Sequence, residues 1–358
     1  MDLGLPFLSD SSPAPGFRPG CKITQGAAAS GGGGLLDAVA SLLSAPQADP
    51  WAENLRSVEI VQGPAPFLDT CRLLLSRTST TPQLAVDDEL GVQLGFEDSL
   101  TTVFTGKVAL LGATRDQGLE AVLASPAHLL AQSRQNASFE QRSLGDLLRS
   151  WAGEAQVTPG DLDTGPSFPF LAVDDRRSAW EWIGVLARLA GLLAWVDGEG
   201  KLQCKQPAGA PARSYRYGQD LLWLRSTERV ANLGEVTVSG EGAAGSQGAK
   251  AWSWLAKSAD SMQASAGDGA PKRLYQEGAL REHAAVDAAA NGLSERAQAL
   301  RSIVEVTVPG SPEVGVGALF ELADCPDGRG DGTYVALGLR HRYAKARGFV
   351  TEISGAAT

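Results

Sequence analysis

The 358-residue chain lacks several features that would assign it to a functional class at once. No uninterrupted apolar run approaches the roughly 18 residues that a membrane-spanning helix needs. The N-terminus has neither a basic stretch nor a long apolar segment, so it does not resemble a secretory signal. The four cysteines form no CxxC pair, and the three histidines are isolated from possible metal ligands. The sequence therefore predicts no membrane insertion and no metal site.

Positive charge is also in short supply. Lys and Arg number 31 against 41 Asp and Glu, which gives a net charge of −10. An acidic chain is poorly suited to a broad nucleic-acid surface, so we expect no specific nucleic-acid binding. Widely spaced cysteines fit reduced thiols in a protein made in the cytoplasm. The glycine tract 31–34 lacks the Lys-Ser/Thr of a phosphate loop, and we expect no cofactor.

What the sequence does contain is clearest between residues 139 and 206, which alternate helical, extended and hairpin patterns. Ser178 and Glu181 have the spacing of a capping box. The helix after them is predicted to bury one face, and Gly191 stands where its C-terminus should fall. Strands on both sides of Asp197 to Gly200 predict a tight hairpin. The predicted apolar face consists of Trp182, Val185, Leu186 and Leu189.

On either side of this unit the pattern is that of β-strands. Leu90, Val92, Leu94 and Phe96 alternate with polar residues, as a strand with one buried face should. The C-terminal region alternates in the same way from Val304 onwards. The predicted class is α+β and β-rich, with helices inserted between antiparallel strands.

Several segments resemble the late control protein D and VgrG group of tail hubs. They are LGDLLRSWAGEAQV, SAWEWIGVLARLAG and the hairpin LLAWVDGEGKLQCKQP, together with LGVQLGFED…TTVFTGKVALL and the closing TYVALGLRHRYAKARGFVTEISG. In the segment TTVFTGKVALL, the resemblance implies a Phe-x-Gly turn formed by Phe104, Thr105 and Gly106. The matched segments cover most of the chain from about residue 58, and their order carries the resemblance.

The resemblance implies two tube-like antiparallel β-barrel domains with an α/β insertion between them. The expected division is an N-terminal arm with a Gly-rich loop and a short helix (1–57), a first tube-like barrel (58–118), the insertion (119–210), and a second tube-like barrel (211–358) that contains a long Gly/Ala-rich loop (239–270) and a helix (282–300).

The resemblance also implies a function. Such hubs are non-enzymatic homotrimers in the baseplate of a phage tail, a tailocin or a related contractile injection system. The trimer would join a hexameric tail tube above to a trimeric spike below. We expect the spike to be a separate chain, because the sequence stops at Thr358 without a needle domain. Tape measure and baseplate wedge proteins are further possible partners.

Two groups of residues are candidate interface residues. Trp252 and Trp254 alternate with Ser253, so both rings project to one side; they either fill a core or anchor a subunit contact. The basic cluster consists of Arg340, Arg342, Lys345 and Arg347. It either protects a strand edge from pairing or contacts an acidic neighbour in the particle.

Two other functions stay open. Glu154 as the acid, with Asp163, could indicate a tail-associated peptidoglycan hydrolase, although solvated loop carboxylates are the simpler interpretation. A cargo-binding or receptor-binding module is the third possibility. Asp324, Asp327 and Asp331 depart from the pattern of a calcium loop and predict a turn.

Overall fold

The computed structural model describes residues 18–26, 49–97, 99–113, 118–230, 233–241 and 262–358. Within these ranges the strands are β1 (Pro19–Gln25), β2 (Leu55–Gln62), β3 (Thr70–Ser76), β4 (Glu89–Phe96), β5 (Ser99–Ala113), β6 (Gly118–Ala124), β7 (Ala137–Ser143), β8 (Pro159–Leu162), β9 (Ser167–Val173), β10 (Leu193–Val196), β11 (Leu202–Lys205), β12 (Arg213–Arg216), β13 (Trp223–Glu228), β14 (Glu235–Gly240), β15 (Gln263–Gly267), β16 (Lys272–Glu277), β17 (Ser302–Pro309), β18 (Leu319–Ala323), β19 (Gly332–Ala344) and β20 (Gly348–Ala357). The helices are α1 (Pro50–Asn54), α2 (Ala127–Gln132), α3 (Leu144–Glu154), α4 (Ala179–Leu189) and α5 (His283–Ala299).

Twelve strands form one large, almost entirely antiparallel sheet. Its main path runs β1-β4-β5-β6-β3-β2-β19-β20-β17-β13, and β18 and β12 branch from β19. The predicted β-rich α+β class is confirmed. The expected closure into two barrels is not found among the described residues, because strands from both ends of the chain join edge to edge in one open sheet.

The large sheet consists of two half-sheets with the same internal order. The N-terminal half-sheet runs β2-β3-β6-β5-β4-β1, and the C-terminal half-sheet runs β13-β17-β20-β19-β18-β12. Each strand of one half-sheet has a counterpart at the same place in the other. The counterparts also follow one another along the chain in the same order. One pairing differs in direction, since β1 runs antiparallel to β4 whereas β12 runs parallel to β18. Apart from this pairing, the two half-sheets have the same topology.

The correspondence extends to irregular details. The β5–β6 hairpin has a register shift between Val108 and Leu110, and the β19–β20 hairpin has one between Ala336 and Gly338. Val108 exchanges backbone hydrogen bonds with 87 and 88, and Ala336 does so with 317 and 318. The first residue of each pair has a positive φ, +73° in Asp87 and +80° in Gly317. Shared bulges and turns at matching places define a residue-by-residue alignment of the halves.

The two half-sheets join at a seam in which Ser57–Gln62 of β2 pair antiparallel with Leu339–Ala344 of β19. Ile60 lies opposite His341 there, and both are almost completely buried. Separate apolar clusters lie under the two half-sheets. The seam fixes their relative position through backbone hydrogen bonds between residues almost three hundred positions apart.

The α/β unit forms as predicted in its local features. Ser178 and Glu181 make the capping box, with Ser178 Oγ accepting from the Glu181 backbone N–H. The C-terminus of α4 has the two Schellman hydrogen bonds, Gly191 to Arg188 (3.2 Å) and Leu192 to Ala187 (2.9 Å). Gly191 takes a φ of +69°, as this cap requires. The hairpin is β10–β11.

The predicted buried face of α4 is partly wrong. Leu186 and Leu189 are buried, but Trp182 and Val185 are only half-buried. Trp180 and Ile183 are the more deeply buried residues, in one apolar cluster with residues of α2, α3 and β10. Trp180 Nε1 also donates to the Phe67 carbonyl (2.8 Å), which ties α4 to the loop between β2 and β3.

Three other predictions from the sequence can be compared with the structure. Phe104, Thr105 and Gly106 lie inside β5 and form no turn, since the β4–β5 connection comes at Glu97, which has a φ of +51°. The helix predicted at 282–300 is α5. From the loop predicted at 239–270, residues 263–267 instead form β15 in a small sheet with β14 and β16. Residues 242–261 and most of the arm, with the short helix predicted in it, lie outside the described residues, and the domain boundaries stay a prediction.

Candidate interaction surfaces

The predicted basic cluster does not lie on a sheet edge. Arg340 and Arg342 belong to β19, which pairs with β2 on one side and with β20 on the other. Arg340 Nε donates to Glu59 Oε1 (2.6 Å) across the seam, and Arg342 forms an ion pair with Glu352. The explanation as edge protection is therefore wrong. The two arginines form a ladder of cross-strand ion pairs that neutralises most of their charge.

The other two basic residues lie at the end of this ladder. Lys345 Nζ donates to the carbonyl oxygens of Ala52 and Glu53 (3.0 Å for Glu53) in α1. A lysine at the last turn of a helix satisfies carbonyls that have no partner within the helix. Arg347 is exposed in the β19–β20 turn. A role of these four residues in contacts with other proteins stays a prediction, and Trp252 and Trp254 lie outside the described residues.

An apolar surface that was not predicted from the sequence lies at the free edge of the C-terminal half-sheet. β13 pairs with β17, and its other side has no strand partner within the described chain. Leu222 is 61% exposed and Trp223 is 51% exposed beside this edge. These two side chains line a cavity of about 540 Å³ together with Tyr217, which is 47% exposed. The run LLWL at 221–224 marks this apolar segment in the sequence. Its pattern alone cannot distinguish a buried strand from an exposed one.

A second free edge lies in the N-terminal half-sheet. β4 covers one side of β5 as far as Lys107, and the backbone of Val108 bonds to the turn before β4. Beyond Val108, the described part of the chain provides no partner on that side of β5. Leu110 is 50% exposed there. Residues 111–113 of this segment are the counterparts of 339–341 in β19, which β2 covers at the seam.

One histidine has a structural environment that the sequence did not predict. His341 is 1% exposed and its Nδ1 lies 3.0 Å from Thr351 Oγ1. Burial lowers the pKa of His341 to about 4, because the protein interior penalises the charged imidazolium. The seam therefore encloses the ring of His341.

The residues considered for catalysis or metal binding have ordinary structural partners. Glu154 is exposed at the end of α3 and accepts from Ser150 Oγ (3.3 Å). Asp163 accepts from the backbone N–H of Gln206 (3.2 Å). Asp331 accepts from the backbone N–H of Cys325 (2.8 Å), and Asp324 pairs with Arg216, so they shape the predicted turn between β18 and β19. In the described ranges no three potential ligands converge on one point.

Among the helices of the described residues, none combines the length and the apolar character needed to cross a membrane.

Comparisons with known proteins identify the fold. No family model matches the chain, and no curated protein matches it in sequence. The 43 kDa tail protein of prophage MuSo2 from Shewanella oneidensis superposes with a TM-score of 0.64 at 13% identity, over 85% of this chain and 94% of that one. A tail protein from Neisseria meningitidis MC58 gives 0.62 at 14% identity, over 85% and 92%.

A third structure comes from a secretion system. The Escherichia coli c3393 protein, a type VI secretion component described as similar to the T4 tail proteins gp27 and gp5, gives a TM-score of 0.55 at 12% identity. The alignment covers 85% of this chain and 74% of that one. The chain thus has the fold of structural tail and injection-machine proteins. The resemblance to tail hubs is confirmed at the level of fold.

Proposed function

We propose that the chain is a structural, non-enzymatic hub in the baseplate of a contractile tail or injection particle. Three copies form a ring that seats a hexameric tail tube on one side and a trimeric spike, supplied by another chain, on the other. Tape measure and wedge proteins are candidate neighbours. The protein is made in the bacterial cytoplasm and assembled into the particle.

The single observation that carries this proposal is the internal repeat of the sheet. Two half-sheets with one strand order lie side by side in each chain. Three chains then present six similar modules to a six-fold tube while keeping the three-fold symmetry that a spike needs. The single-module alternative, with one half-sheet per chain, would require six copies to do the same.

The apolar edge beside β13 supports assembly into a ring. Leu222, Trp223 and Tyr217 expose large apolar side chains in one place, and such patches mark protein contacts. Native mass spectrometry of the purified chain is expected to give a trimer. A Leu222→Asp change should shift the population to monomer, because it places a charge in the contact.

A matched control is Leu274→Asp. Leu274 is 54% exposed, close to the 61% of Leu222, but lies on β16 in the small sheet. The trimer should survive this change. A stable dimer of the unmodified chain, or loss of the trimer with both aspartates alike, would contradict the proposed ring.

The alternative functions can be separated by a direct assay. A tail-associated hydrolase would release soluble fragments from cell-wall sacculi, and Glu154→Gln would abolish the release. A receptor-binding module would retain a surface glycan. The hub predicts neither activity, and Glu154 lies exposed at the end of a helix.

A further inference from the structure

A groove lies where α4, α5 and one end of the large sheet meet. Its first part is a cavity of about 300 Å³ between α4 and the loop that joins β2 to β3. Its second part is a cavity of about 290 Å³ between α4, α5 and the β19–β20 pair. The two cavities are continuous, because they share the lining residues Arg188, Leu192, Leu193 and Arg296.

Close contact between two glycines brings the two arginines to this place. Gly191, at the end of α4, meets Gly292 of α5 backbone to backbone, and a Cβ added to Gly292 would lie 2.5 Å from the Gly191 Cα. Arg188 stands three residues before the first glycine, and Arg296 stands four residues after the second. A spacing of about one helical turn keeps each arginine on the side of the contact, so both side chains reach the middle of the groove.

The two arginines have no counter-charge in the chain. Neither side chain forms an ion pair or a hydrogen bond with the part of the chain that the structure describes. Arg296 keeps much of its surface exposed, yet burial lowers the pKa of its guanidinium and the charge of Arg188 lowers it further. Glu181 lines the first cavity, but its carboxylate accepts from the Ser178 N–H (2.7 Å) in the capping box. The middle of the groove is therefore positively charged, although the chain as a whole has a net charge of −10.

The walls of the groove are largely apolar on both sides of the arginines. A hydrated inorganic anion gains little from such walls, whereas a peptide can bury apolar side chains against them. Half-buried apolar residues line both cavities, namely Ala65, Val185 and Leu192 in the first and Leu300, Val335 and Leu337 in the second.

We propose that this groove binds a peptide segment of a partner protein, with one Asp or Glu carboxylate held by Arg188 and Arg296 and with apolar side chains in the two cavities. Guanidinium groups bind carboxylates through paired hydrogen bonds, which suits a site that presents two of them. A bound carboxylate also offsets the repulsion between the arginines, and a neutral peptide cannot do so. The inference does not depend on the trimeric ring, since one chain contains the whole groove.

Isothermal titration calorimetry of the full-length chain tests this contact. The probe is the peptide Leu-Ala-Glu-Ala-Leu, blocked at both ends so that the glutamate carries its only charge. We expect the dissociation constant to be about tenfold higher for Leu-Ala-Gln-Ala-Leu, because the hydrogen bonds to a charged group are lost. Arg188→Gln and Arg296→Gln should each weaken binding of the glutamate peptide to a similar extent.

The matched control is Arg301→Gln. Arg301 is an exposed arginine that follows α5 and lines neither cavity, so binding should stay unchanged. Thermal unfolding without peptide separates binding from folding. Each glutamine in the groove removes one of two like charges, so Arg188→Gln and Arg296→Gln should unfold at the same temperature as the parent chain or at a higher one. A clear loss of stability in both would show that the arginines support the fold and would contradict the proposal.

The other outcomes also decide. Equal binding of the two peptides, binding that survives both arginine exchanges, or no binding of either peptide would overturn the proposed contact. Binding of inorganic phosphate without binding of the glutamate peptide would show a site for a free anion and would overturn the peptide groove. Loss of trimers in the two arginine variants by native mass spectrometry would show that a second copy fills the groove, and would overturn the separate partner. A monomeric parent chain that binds the glutamate peptide would support this proposal and contradict the trimeric hub alone.

Discussion

The two half-sheets share one strand order but differ in what covers their edges. In the N-terminal half-sheet, the edge of β2 is covered by β19 of the same chain, and Ile60 becomes completely buried. In the C-terminal half-sheet, the corresponding edge of β13 is bare, and Ser226 at the matching place is exposed. The same backbone position is therefore apolar where the chain itself supplies the neighbour and polar where a single chain does not.

Because of this difference, substitutions in the seam should destabilise the chain more than substitutions at the free edge of β13. We expect Ile60→Asp to lower the free energy of unfolding by more than about 3 kcal/mol, because it buries an unpaired charge. In the unassembled chain the corresponding change Ser226→Asp should alter it by less than about 0.5 kcal/mol, because the side chain is exposed there. Urea unfolding of both variants measures the comparison. Equal losses would mean that the two edges are not as different as their burial indicates.

Acid should weaken the seam through His341. Its pKa is about 4 when folded and near 6.5 when unfolded, so the unfolded chain binds the proton first. Stability contributed by the neutral ring is therefore present above pH 6.5 and is lost as the pH falls towards 4. Between pH 7 and pH 4.5 the loss should be roughly 2 kcal/mol.

The control for this titration is His341→Gln, which removes the imidazole and leaves all other ionisable groups unchanged. Unfolding curves of both chains at the two pH values isolate the contribution of one ring. The matching position in the N-terminal half-sheet is Ala113, which cannot titrate. If the variant lost as much stability in acid as the parent chain, another group would be responsible.

The smallest effects are expected at the matched turns. Asp87 and Gly317 both have a positive φ, but only glycine adopts it without steric cost. Asp87→Gly should stabilise the chain by roughly 0.5–1 kcal/mol, since the aspartate is exposed.

Gly317→Asp should destabilise it by about 1–2 kcal/mol, because the new Cβ would lie 2.9 Å from the Trp195 ring. Thermal unfolding of both exchanges measures these changes. Changes of the same sign in both variants would contradict the equivalence of the two turns.

The sequence predicted the local structure well and the long-range structure poorly. The capping box at Ser178 and the α4 C-terminus at Gly191 depend on residues a few positions apart, and both are confirmed. The alternation around Val92 and Val306 also gave the correct strands.

The open form of the sheet and its seam could not be predicted in this way. They depend on β2 meeting β19, and alternation shows which face of a strand is buried but not which strand lies beside it. For the same reason an edge position was one of the two explanations left open for the basic cluster. Arg340 and Arg342 look the same in sequence whether β19 has one neighbour or two. The apolar run at 221–224 likewise does not show by itself that Leu222 and Trp223 are exposed beside a free edge.

The central claim is that each chain contributes two equivalent modules to a three-copy ring. A single-particle reconstruction of the purified assembly measures this most directly. The account predicts three chains and six half-sheets around one axis. A dimer, or a ring in which β13 faces solvent, would contradict it.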